Sequence, residues 1–519
     1  MASTFFGLTI AYSGLQAANT SLTITGHNVS NINTKGYTRQ QAGTQAADAL
    51  RTHTTYGAIG SGVVVTEISQ IRDSYYDVKY RNNMANYGQY SVKESYMGQI
   101  EDYLDEFTLN GYSQEYKNFF SAVNQLTITP GDTSAKNQLI NNAKSLADYF
   151  NTLTTNLRNV QADANNEIKD AVQQINSYAK NIAALNRQIN QIEANYGNAN
   201  DLRDKRNAMI DELSEIVNLE TSEEDMGNNV SNFSVRINGQ TLVSSYSYNT
   251  LETVARTDKK NYSDAEGLYD VQWNSGQKFD MYSTSLSGHL KGLIDIRDGN
   301  NGEHENIETD DDGNNVTDSD GNLVLTTAPA ADKTVSYKGV PYYQAQLNEF
   351  AKIFSDAVNK IMKSGYTSDG SSKGISLFVT QPNTTVMSAG NITVNHELLK
   401  NADLLAIKKE QNDGESDAQI MEELNKLQSE KIFAGGTGSY FLESIVSDMS
   451  IDSQKAVNLY KNYTDLKTSI HNQRLSIMGV DTDEEAMDMI KYQQAYNLNS
   501  KMMSVMNQIY DKLINQTGI

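Results

Sequence analysis

The sequence predicts a mainly α-helical, elongated, multi-domain protein with a β-rich module in the middle of the chain. Three observations predict this fold class. Apolar residues recur at helical spacing near both chain ends and over long internal stretches. Proline, which breaks helices, occurs only 4 times in 519 residues. Between about residues 231 and 339 the apolar spacing changes to the alternation that is typical of β-strands.

Two rows of side chains repeat with a heptad period at the N-terminus. They are Leu8, Leu15, Leu22 and Val29, and then Ala11, Ala18, Thr25 and Ile32. Together they give the a/d spacing of a coiled coil. The rest of this helix has no formal charge before Lys35, which favours a helix that other subunits surround. An ordinary amphipathic helix at a domain edge is the alternative that the pattern leaves open.

A turn and a strand are predicted after this helix. Residues 28–37 hold three Asn and a Gly, residue types that end helices and form turns. Residues 56–72 are rich in Val, Ile and Gly and predict a short strand or hairpin.

Helical spacing dominates from about residue 73 to residue 217. Pro130-Gly131-Asp132 predicts a break between two helices in this block. The longest apolar row, with members three or four residues apart, is Phe150, Leu153, Leu157, Val160, Ala164, Ile168, Ala171, Ile175, Tyr178, Ile182, Leu185, Ile189, Ile192 and Tyr196. This row predicts one long helix that is buried along one side.

The central module shows strand and turn signals. Phe233, Val235 and Ile237 alternate and lead into Asn238-Gly239, which is a strong hairpin signal. A second alternating run ends at Trp273. Within the module, residues 298–320 carry nine acidic residues and no Lys or Arg, and predict a solvated acidic loop.

Helical spacing returns towards the C-terminus. One helix is predicted from Gln344 to Met362, with a stop near Gly365. Gly479 and the acidic residues 481–485 predict the start of the last helix, because its dipole favours acids there. That helix carries two adjacent rows, which indicates packing on two sides. They are Met489, Tyr492, Tyr496, Asn499, Met503, Met506, Tyr510 and Leu513, and then Ala495, Leu498, Met502, Val505 and Ile509.

These patterns predict three nested domains. Residues 1–55 and 480–519 are expected to pair as a coiled-coil or helix-bundle domain that is disordered or loosely helical in the free subunit. Residues 56–230 and 340–479 form an elongated helical bundle domain, and residues 231–339 form a β-rich outer domain with the acidic loop 298–320.

Composition limits the possible partners. The net charge of −22 disfavours binding to nucleic acid and to anionic membranes. The chain has no Cys, so disulfides and thiolate metal sites are excluded. It begins without the basic segment and apolar stretch of a cleaved secretory signal, and no apolar run is long enough to span a bilayer.

Three short motifs resemble sites of chemistry, but each departs from the pattern that its chemistry needs. His304, Glu305 and Glu308 lack the second His of a zinc protease motif. Gly370-Ser371-Ser372-Lys373-Gly374 follows a turn, not the strand that a nucleophile elbow requires. The Asp-rich runs 310–313 and 318–321 lack the full spacing of a calcium loop. The sequence therefore predicts no catalytic residue, no cofactor and no metal site, and a protein that is not an enzyme.

Both ends of the chain resemble the flagellar axial proteins, the family of rod, hook and hook-associated subunits. Residues 7–39, GLTIAYSGLQAANTSLTITGHNVSNINTKGYTR, are similar to that family's N-terminal signature, and residues 479–513, GVDTDEEAMDMIKYQQAYNLNSKMMSVMNQIYDKL, to its C-terminal signature. The residues that carry the likeness are Ser13, Gly14, Leu15, Asn28, Asn31, Asn33, Gly36, Tyr37, Gln493, Gln494, Ala495 and Tyr496.

Three internal stretches resemble the hook-associated protein 1 branch of that family: 118–219, 287–298 and 342–370. The resemblance implies secretion through the flagellar type III channel and an extracellular position at the hook–filament junction. It implies a ring of copies, with hook protein and an adjoining hook-associated protein as neighbours. It also implies a cytoplasmic export chaperone on the C-terminal region. Neither nucleic acid nor membrane is expected as a partner, because of the net charge of −22.

We expect the terminal rows to drive assembly, through Leu8, Leu15, Leu22, Val29, Tyr492, Tyr496, Met503, Met506, Tyr510 and Leu513. The alternatives are hook protein or a flagellin-like filament subunit. Two further alternatives are a surface adhesin and a metalloenzyme carried on the flagellum.

Overall fold

The computed structural model describes residues 6–51, 58–109, 112–299, 307–310, 314–317, 323–326, 338–382, 384–414 and 416–516. Helices dominate these residues. They are α1 (Phe6–Ser30), α2 (Ser74–Leu109), α3 (Tyr112–Ile128), α4 (Thr133–Glu193), α5 (Asn200–Ile216), α6 (His289–Asp298), α7 (Gly339–Ser364), α8 (His396–Lys400), α9 (Gln419–Lys426), α10 (Gly438–Met478) and α11 (Thr482–Asn515), with a 3-10 turn at Ala402–Leu404.

The strands are short and pair in small antiparallel sheets. They are β1 (Gln40–Ala46), β2 (Leu50–Arg51), β3 (Ala58–Ile59), β4 (Val63–Gln70), β5 (Glu220–Asp225), β6 (Ser231–Ile237), β7 (Gln240–Ser244), β8 (Ser247–Tyr248), β9 (Leu251–Ala255), β10 (Tyr269–Trp273), β11 (Tyr366–Thr367), β12 (Phe378–Thr380), β13 (Ile392–Val394) and β14 (Ala406–Lys408). The largest sheet has the order β5-β6-β7-β8, and the other pairs are β1-β4, β2-β3, β9-β10, β11-β14 and β12-β13. The predicted class, mainly α with a central β insertion and paired terminal helices, is confirmed.

The described chain divides into two compact units. The first comprises Met1–Ala85, Ile175–Thr250 and Tyr463–Ile519. It contains α1, α11, the β1–β4 pair, α5 and the four-stranded sheet. A charged side chain takes part in its core, because the Arg206 guanidinium lies 3.8 Å from the centre of the Phe233 ring and is buried there.

The second unit comprises Asn86–Gln174 and Leu251–Asn462. Its core is an aromatic cluster in which the rings of Phe350 and Phe433 stack with centroids 4.9 Å apart. Phe354 packs against Phe119 and Phe378 in the same cluster. Large buried rings such as these contribute much apolar area to a domain core.

The predicted helix boundaries agree with the turns in the sequence. α3 ends before Pro130 and α4 begins at Thr133, where Asp132 Oδ1 accepts a hydrogen bond from Ser134 N. α7 ends at Ser364, one residue before Gly365. α11 begins after Gly479, and Asp481 caps it by accepting hydrogen bonds from Asp483 N and Glu484 N.

The hairpin predicted at Asn238-Gly239 is confirmed. Ile237 pairs with Gln240, and the two turn residues have φ of +49° and +78°. Positive φ at both positions is the property of a type I′ turn, which explains why Asn followed by Gly occurs here.

Two predictions at element ends were wrong. Ile192 and Tyr196 do not continue the buried row of α4, since their exposed fractions are 41% and 90%. α4 ends at Glu193, and Tyr196 lies in a turn with φ of +60°. The acidic loop does not begin at residue 298 either, because Asp298 is the last residue of α6 and is buried. Two arginines hold that carboxylate inside the fold.

Much of the acidic loop lies outside the described residues, including His304, Glu305 and residues 311–313 and 318–321. Within the described part, Ile307 pairs with Leu325 and Thr309 with Asn315 as isolated bridges. Ser371 and Ser372 lie in an irregular segment, in which Thr367 N donates to the Ser372 carbonyl. No helix follows directly, and the segment is therefore not a nucleophile elbow.

Candidate assembly surface at the terminal helices

The terminal helices α1 and α11 pack antiparallel with one constant register. A β-carbon added at Gly7 would lie 2.5 Å from Met506 Cε, and one added at Gly14 would lie 2.7 Å from Asn499 Oδ1. At the far end of α1, Asn28 Nδ2 donates to Glu485 Oε1 at 3.1 Å. A step of seven residues towards the C-terminus of α1 therefore corresponds to a step of seven residues towards the N-terminus of α11.

Small side chains on α1 permit this close approach. Gly7, Gly14 and Ser21 occupy successive heptad positions, and Ser21 is buried beside a small cavity that Tyr492 also lines. The contact row is thus displaced by one position from the predicted row Leu8, Leu15, Leu22 and Val29, whose side chains are only partly buried. Ala11, Ala18 and Thr25, the second predicted row, are buried.

On α11 the first predicted row is partly buried from Tyr492 to Tyr510, whereas Met489 and Leu513 at its two ends are 40% and 51% exposed. Its partly buried members are Tyr492, Tyr496, Asn499, Met503, Met506 and Tyr510, and Ala495 of the second row is partly buried beside them. The motif residues Gln493 and Gln494 point to solvent. The rest of the second row stays exposed, at 69% for Leu498, 50% for Met502, 44% for Val505 and 47% for Ile509. We call these four residues the exposed row.

The three residues of the Ser13-Gly14-Leu15 motif face different neighbours. Ser13 Oγ donates to the Ile10 carbonyl and accepts from Val63 N at 3.2 Å, which ties α1 to β4. Gly14 faces Asn499 of α11. Leu15 remains partly exposed. The motif therefore joins α1 to two elements while leaving an apolar side chain accessible.

Asn28 organises the turn after α1. Its amide nitrogen donates to the Gln40 carbonyl and to Glu485, and its amide oxygen accepts from Gln40 N and from Tyr37 Oη at 2.8 Å. The pKa of Tyr37 is raised by burial, with the carboxylates of Asp201 and others adding to the shift. Tyr37 therefore stays protonated and keeps donating.

Arg39 connects this turn to α11. Its guanidinium lies 2.7 Å from Glu484 Oε2 and 2.6 Å from Glu485 Oε1, and its backbone N–H donates to the Met478 carbonyl. Next to it, Thr38 donates two hydrogen bonds to the Asp204 carboxylate of α5. The sequence pattern did not assign roles to Arg39, Asp204 and Glu485, because their partners lie far away along the chain.

The remaining motif residues shape the turn itself. Asn31 Nδ2 donates to the His27 carbonyl, Asn33 is exposed, and Gly36 has φ of +81°. An L-amino acid with a side chain rarely adopts that φ, which accounts for Gly at this position. Asn33 and Gly36 line a cavity of about 570 Å³ together with Arg474 and His471.

Within the described residues, no group of three or more His, Asp and Glu side chains could hold a metal ion. None of the described helices combines the length and the apolar content that crossing a bilayer requires.

Exchanging Gly14 for Ala tests the close helix contact. We expect Gly14→Ala to weaken the α1–α11 pair, because the new methyl group meets Asn499. Gly26→Ala is the matched control, since nothing lies within 4 Å of its added β-carbon. Alanine's helix propensity should make that control more stable, by about 1 kcal/mol. Hydrogen exchange of α1 amides measures both effects.

The double variant Gly14→Ala, Asn499→Ala removes the obstructing side chain and should restore protection of α1. If Gly14→Ala stabilised α1 as much as Gly26→Ala does, the proposed register would be wrong.

Comparisons with known proteins agree with this architecture. Residues 97–378 match the model of the flagellar hook-associated protein FlgK helical domain, and residues 471–516 match the flagellar basal body rod FlgEFG protein C-terminal model. Flagellar hook-associated protein 1 of Bacillus subtilis is 27% identical over 100% of this chain and 99% of its own length. The protein of the same name from Salmonella typhimurium is 28% identical, over 97% and 98%.

A solved structure shares the fold. The flagellar hook junction protein FlgK from Burkholderia pseudomallei superposes with a TM-score of 0.60 at 14% identity, over 77% of this chain and 100% of that one. The predicted family is confirmed, both the axial family indicated by the two terminal signatures and its hook-associated protein 1 branch indicated by the three internal stretches. Since the helical-domain model covers more than half of its residues, this chain belongs to the flagellar hook-associated protein FlgK family, a family of structural components of the flagellum.

Proposed function

We propose that this protein is the structural junction between flagellar hook and filament, and that copies of it form a ring through α1 and α11. The observation that carries the proposal is the exposed row of α11. It lies beside the row that packs on α1, on an otherwise paired helix. Burying one such side chain contributes about 1.5–3 kcal/mol, so four of them provide a strong drive for helix association.

The names of the relatives support a position of this ring between hook and filament. Two relatives that align over almost the whole chain are named flagellar hook-associated protein 1, and the similar solved structure is described as a flagellar hook junction protein. We infer an extracellular position between hook and filament. Its neighbours there would be other copies, hook protein and an adjoining hook-associated protein.

The exposed row also requires protection before assembly. A contiguous apolar stripe in water promotes nonspecific association. We propose that a cytoplasmic export chaperone covers the C-terminal region until secretion. The terminal helices, within 1–55 and 480–519, would be loose in the free subunit and would become fully ordered when neighbours bury them. We propose that the rest of the chain forms two further domains. One is the helical domain, 56–230 with 340–479, and the other is the β-rich outer domain, 231–339.

Localisation and deletion together test the junction role. A labelled copy should mark a single site on each flagellum, between hook and filament. Cells without the protein should build hooks but no filaments, and should release flagellin into the medium. Loss of the hook itself would favour the hook-protein alternative, and label along the whole filament would favour the flagellin-like one.

A further inference from the structure

A polar cavity of about 690 Å³ lies in the second unit. Its walls come from α2, α6, α10 and the segment before α6. Three lysines and two aspartates line it, namely Lys93, Lys291, Lys455, Asp295 and Asp452. We call it the lysine cavity. On a chain with a net charge of −22, a lining with more lysines than acids is unusual.

Two buried lysines share one carboxylate in this cavity. Lys93 Nζ lies 2.6 Å from Asp295 Oδ2, and Lys291 Nζ lies 2.8 Å from Asp295 Oδ1. Both lysines and Asp295 are buried, with exposed fractions of 5%, 7% and 3%. Buried charges are stable only when they are paired, so this arrangement favours an additional anion.

The other groups in the lining do not neutralise this charge. Asp452 accepts a hydrogen bond from Tyr343 Oη at 3.2 Å and lies 3.8 Å from Lys338 Nζ. Its negative charge is therefore already paired with a lysine that does not line the cavity. Burial lowers the pKa of Lys93; the Asp295 carboxylate opposes that shift, and the charges of Lys291 and Lys455 add to it. An anion in the cavity would relieve this repulsion.

Hydrogen-bond donors complete the lining. The hydroxyl side chains of Thr284, Ser285 and Ser287 also line the cavity, with Ser285 hydrogen-bonded to Ser283. The amide of Gln89 lines it as well and donates to Asp295 Oδ2 at 3.1 Å. Its volume falls within the range of about 300–1,000 Å³ that is usual for small-ligand sites. Lysine ammonium groups recognise oxyanions as point charges and do not require a fixed bidentate geometry.

We propose that the lysine cavity binds carboxylate groups, either of a small polycarboxylate or of Asp and Glu side chains in an acidic peptide. The carboxylates would sit against Lys93, Lys291 and Lys455. This site is separate from the assembly surface, and the proposal does not depend on the junction role.

Calorimetric titration of the full chain with citrate tests the first source, at constant ionic strength with NaCl as the reference. We expect saturable binding that Lys455→Gln weakens by about tenfold, the effect of losing one ion pair of about 1.4 kcal/mol. Lys455 is exposed, so this variant keeps the fold. A synthetic peptide of residues 299–320 tests the second source, and binding of either ligand supports the proposal.

Chemical rescue gives a second, independent measurement. Asp295→Asn should lower the thermal midpoint, and citrate should restore part of it, because the added anion takes over the role of the lost carboxylate. Asp298→Asn is the matched control: Asp298 also bridges two buried cations but does not line this cavity. The proposal is overturned if neither citrate nor the peptide gives more heat of binding to the wild type than NaCl does. It is also overturned if both ligands bind Lys455→Gln as tightly as they bind the wild type. It is also overturned if citrate rescues both Asn variants equally.

Discussion

Replacing Met502 with Asp is expected to abolish incorporation of this protein into flagella while leaving the purified chain folded. Met502 is half exposed at the centre of the exposed row, so the free subunit tolerates a charge there. In a ring, the same carboxylate would be buried against a neighbouring helix. Burying an unpaired charge costs on the order of 3 kcal/mol or more, which corresponds to over about 100-fold in association.

The measurement is motility together with immunodetection of the variant on isolated flagella. Ser504→Asp is the matched control, because Ser504 is exposed on the same helix but belongs to neither apolar row. It should assemble normally. Circular dichroism of the purified variants should show equal helicity. Normal junctions built from Met502→Asp would contradict the role of the exposed row.

Met503→Asp, compared with Met502→Asp, distinguishes the roles of the two apolar rows of α11. Met503 is partly buried on the side that packs on α1. Its charge should therefore weaken the helix pair within the subunit as well as block assembly, whereas Met502→Asp should affect only assembly.

Local patterns were sufficient to predict most of the fold. Turn residues such as Pro130, Asn238-Gly239, Gly365 and Asp481 mark real ends of elements, because their backbone preferences act within a few residues. The two-row pattern of α11 predicts packing on two sides; within one subunit only one of these sides is covered, by α1, and the exposed row has no cover.

Pairings between distant residues could not be read from the sequence. Heptad spacing gives several parallel rows on α1, and it does not show which of them faces α11. The leucine row carries larger apolar side chains, but the small residues Gly7 and Gly14 decide the contact because they let the backbones approach. Two further pairs, Thr38 with Asp204 and Arg39 with Glu485, are far apart in the sequence and come into contact only when the chain folds.

Asp298→Asn is expected to destabilise the second unit strongly. The Asp298 carboxylate is 1% exposed and pairs with Arg256 Nη2 at 2.7 Å and with Arg297 Nη2 at 2.5 Å. Tyr282 Oη also donates to it at 2.9 Å. Removing one partner of a buried ion pair leaves uncompensated charge and typically costs about 3–5 kcal/mol. Urea unfolding at neutral pH measures this loss.

Asp270→Asn provides the control, since Asp270 pairs with the same Arg256 at 2.7 Å but is 48% exposed. An exposed pair contributes about 0–1 kcal/mol, so this variant should unfold close to wild type. Equal losses in the two variants would show that burial of the Asp298 cluster has no special role.

The same carboxylate should make stability depend on pH in acid. Burial raises the pKa of Asp298, but the charge of Arg297 and the hydrogen bonds and charge of Arg256 outweigh it, so the folded-state pKa lies well below the usual value. A lowered folded-state pKa contributes stability that is fully present above the unfolded value of about 3.9 and is lost as the pH falls below it. Wild type should therefore lose stability between about pH 5 and pH 3 more steeply than Asp298→Asn, which has no proton to bind at this position. Parallel curves for the two proteins over that range would show that Asp298 is not a source of the acid sensitivity.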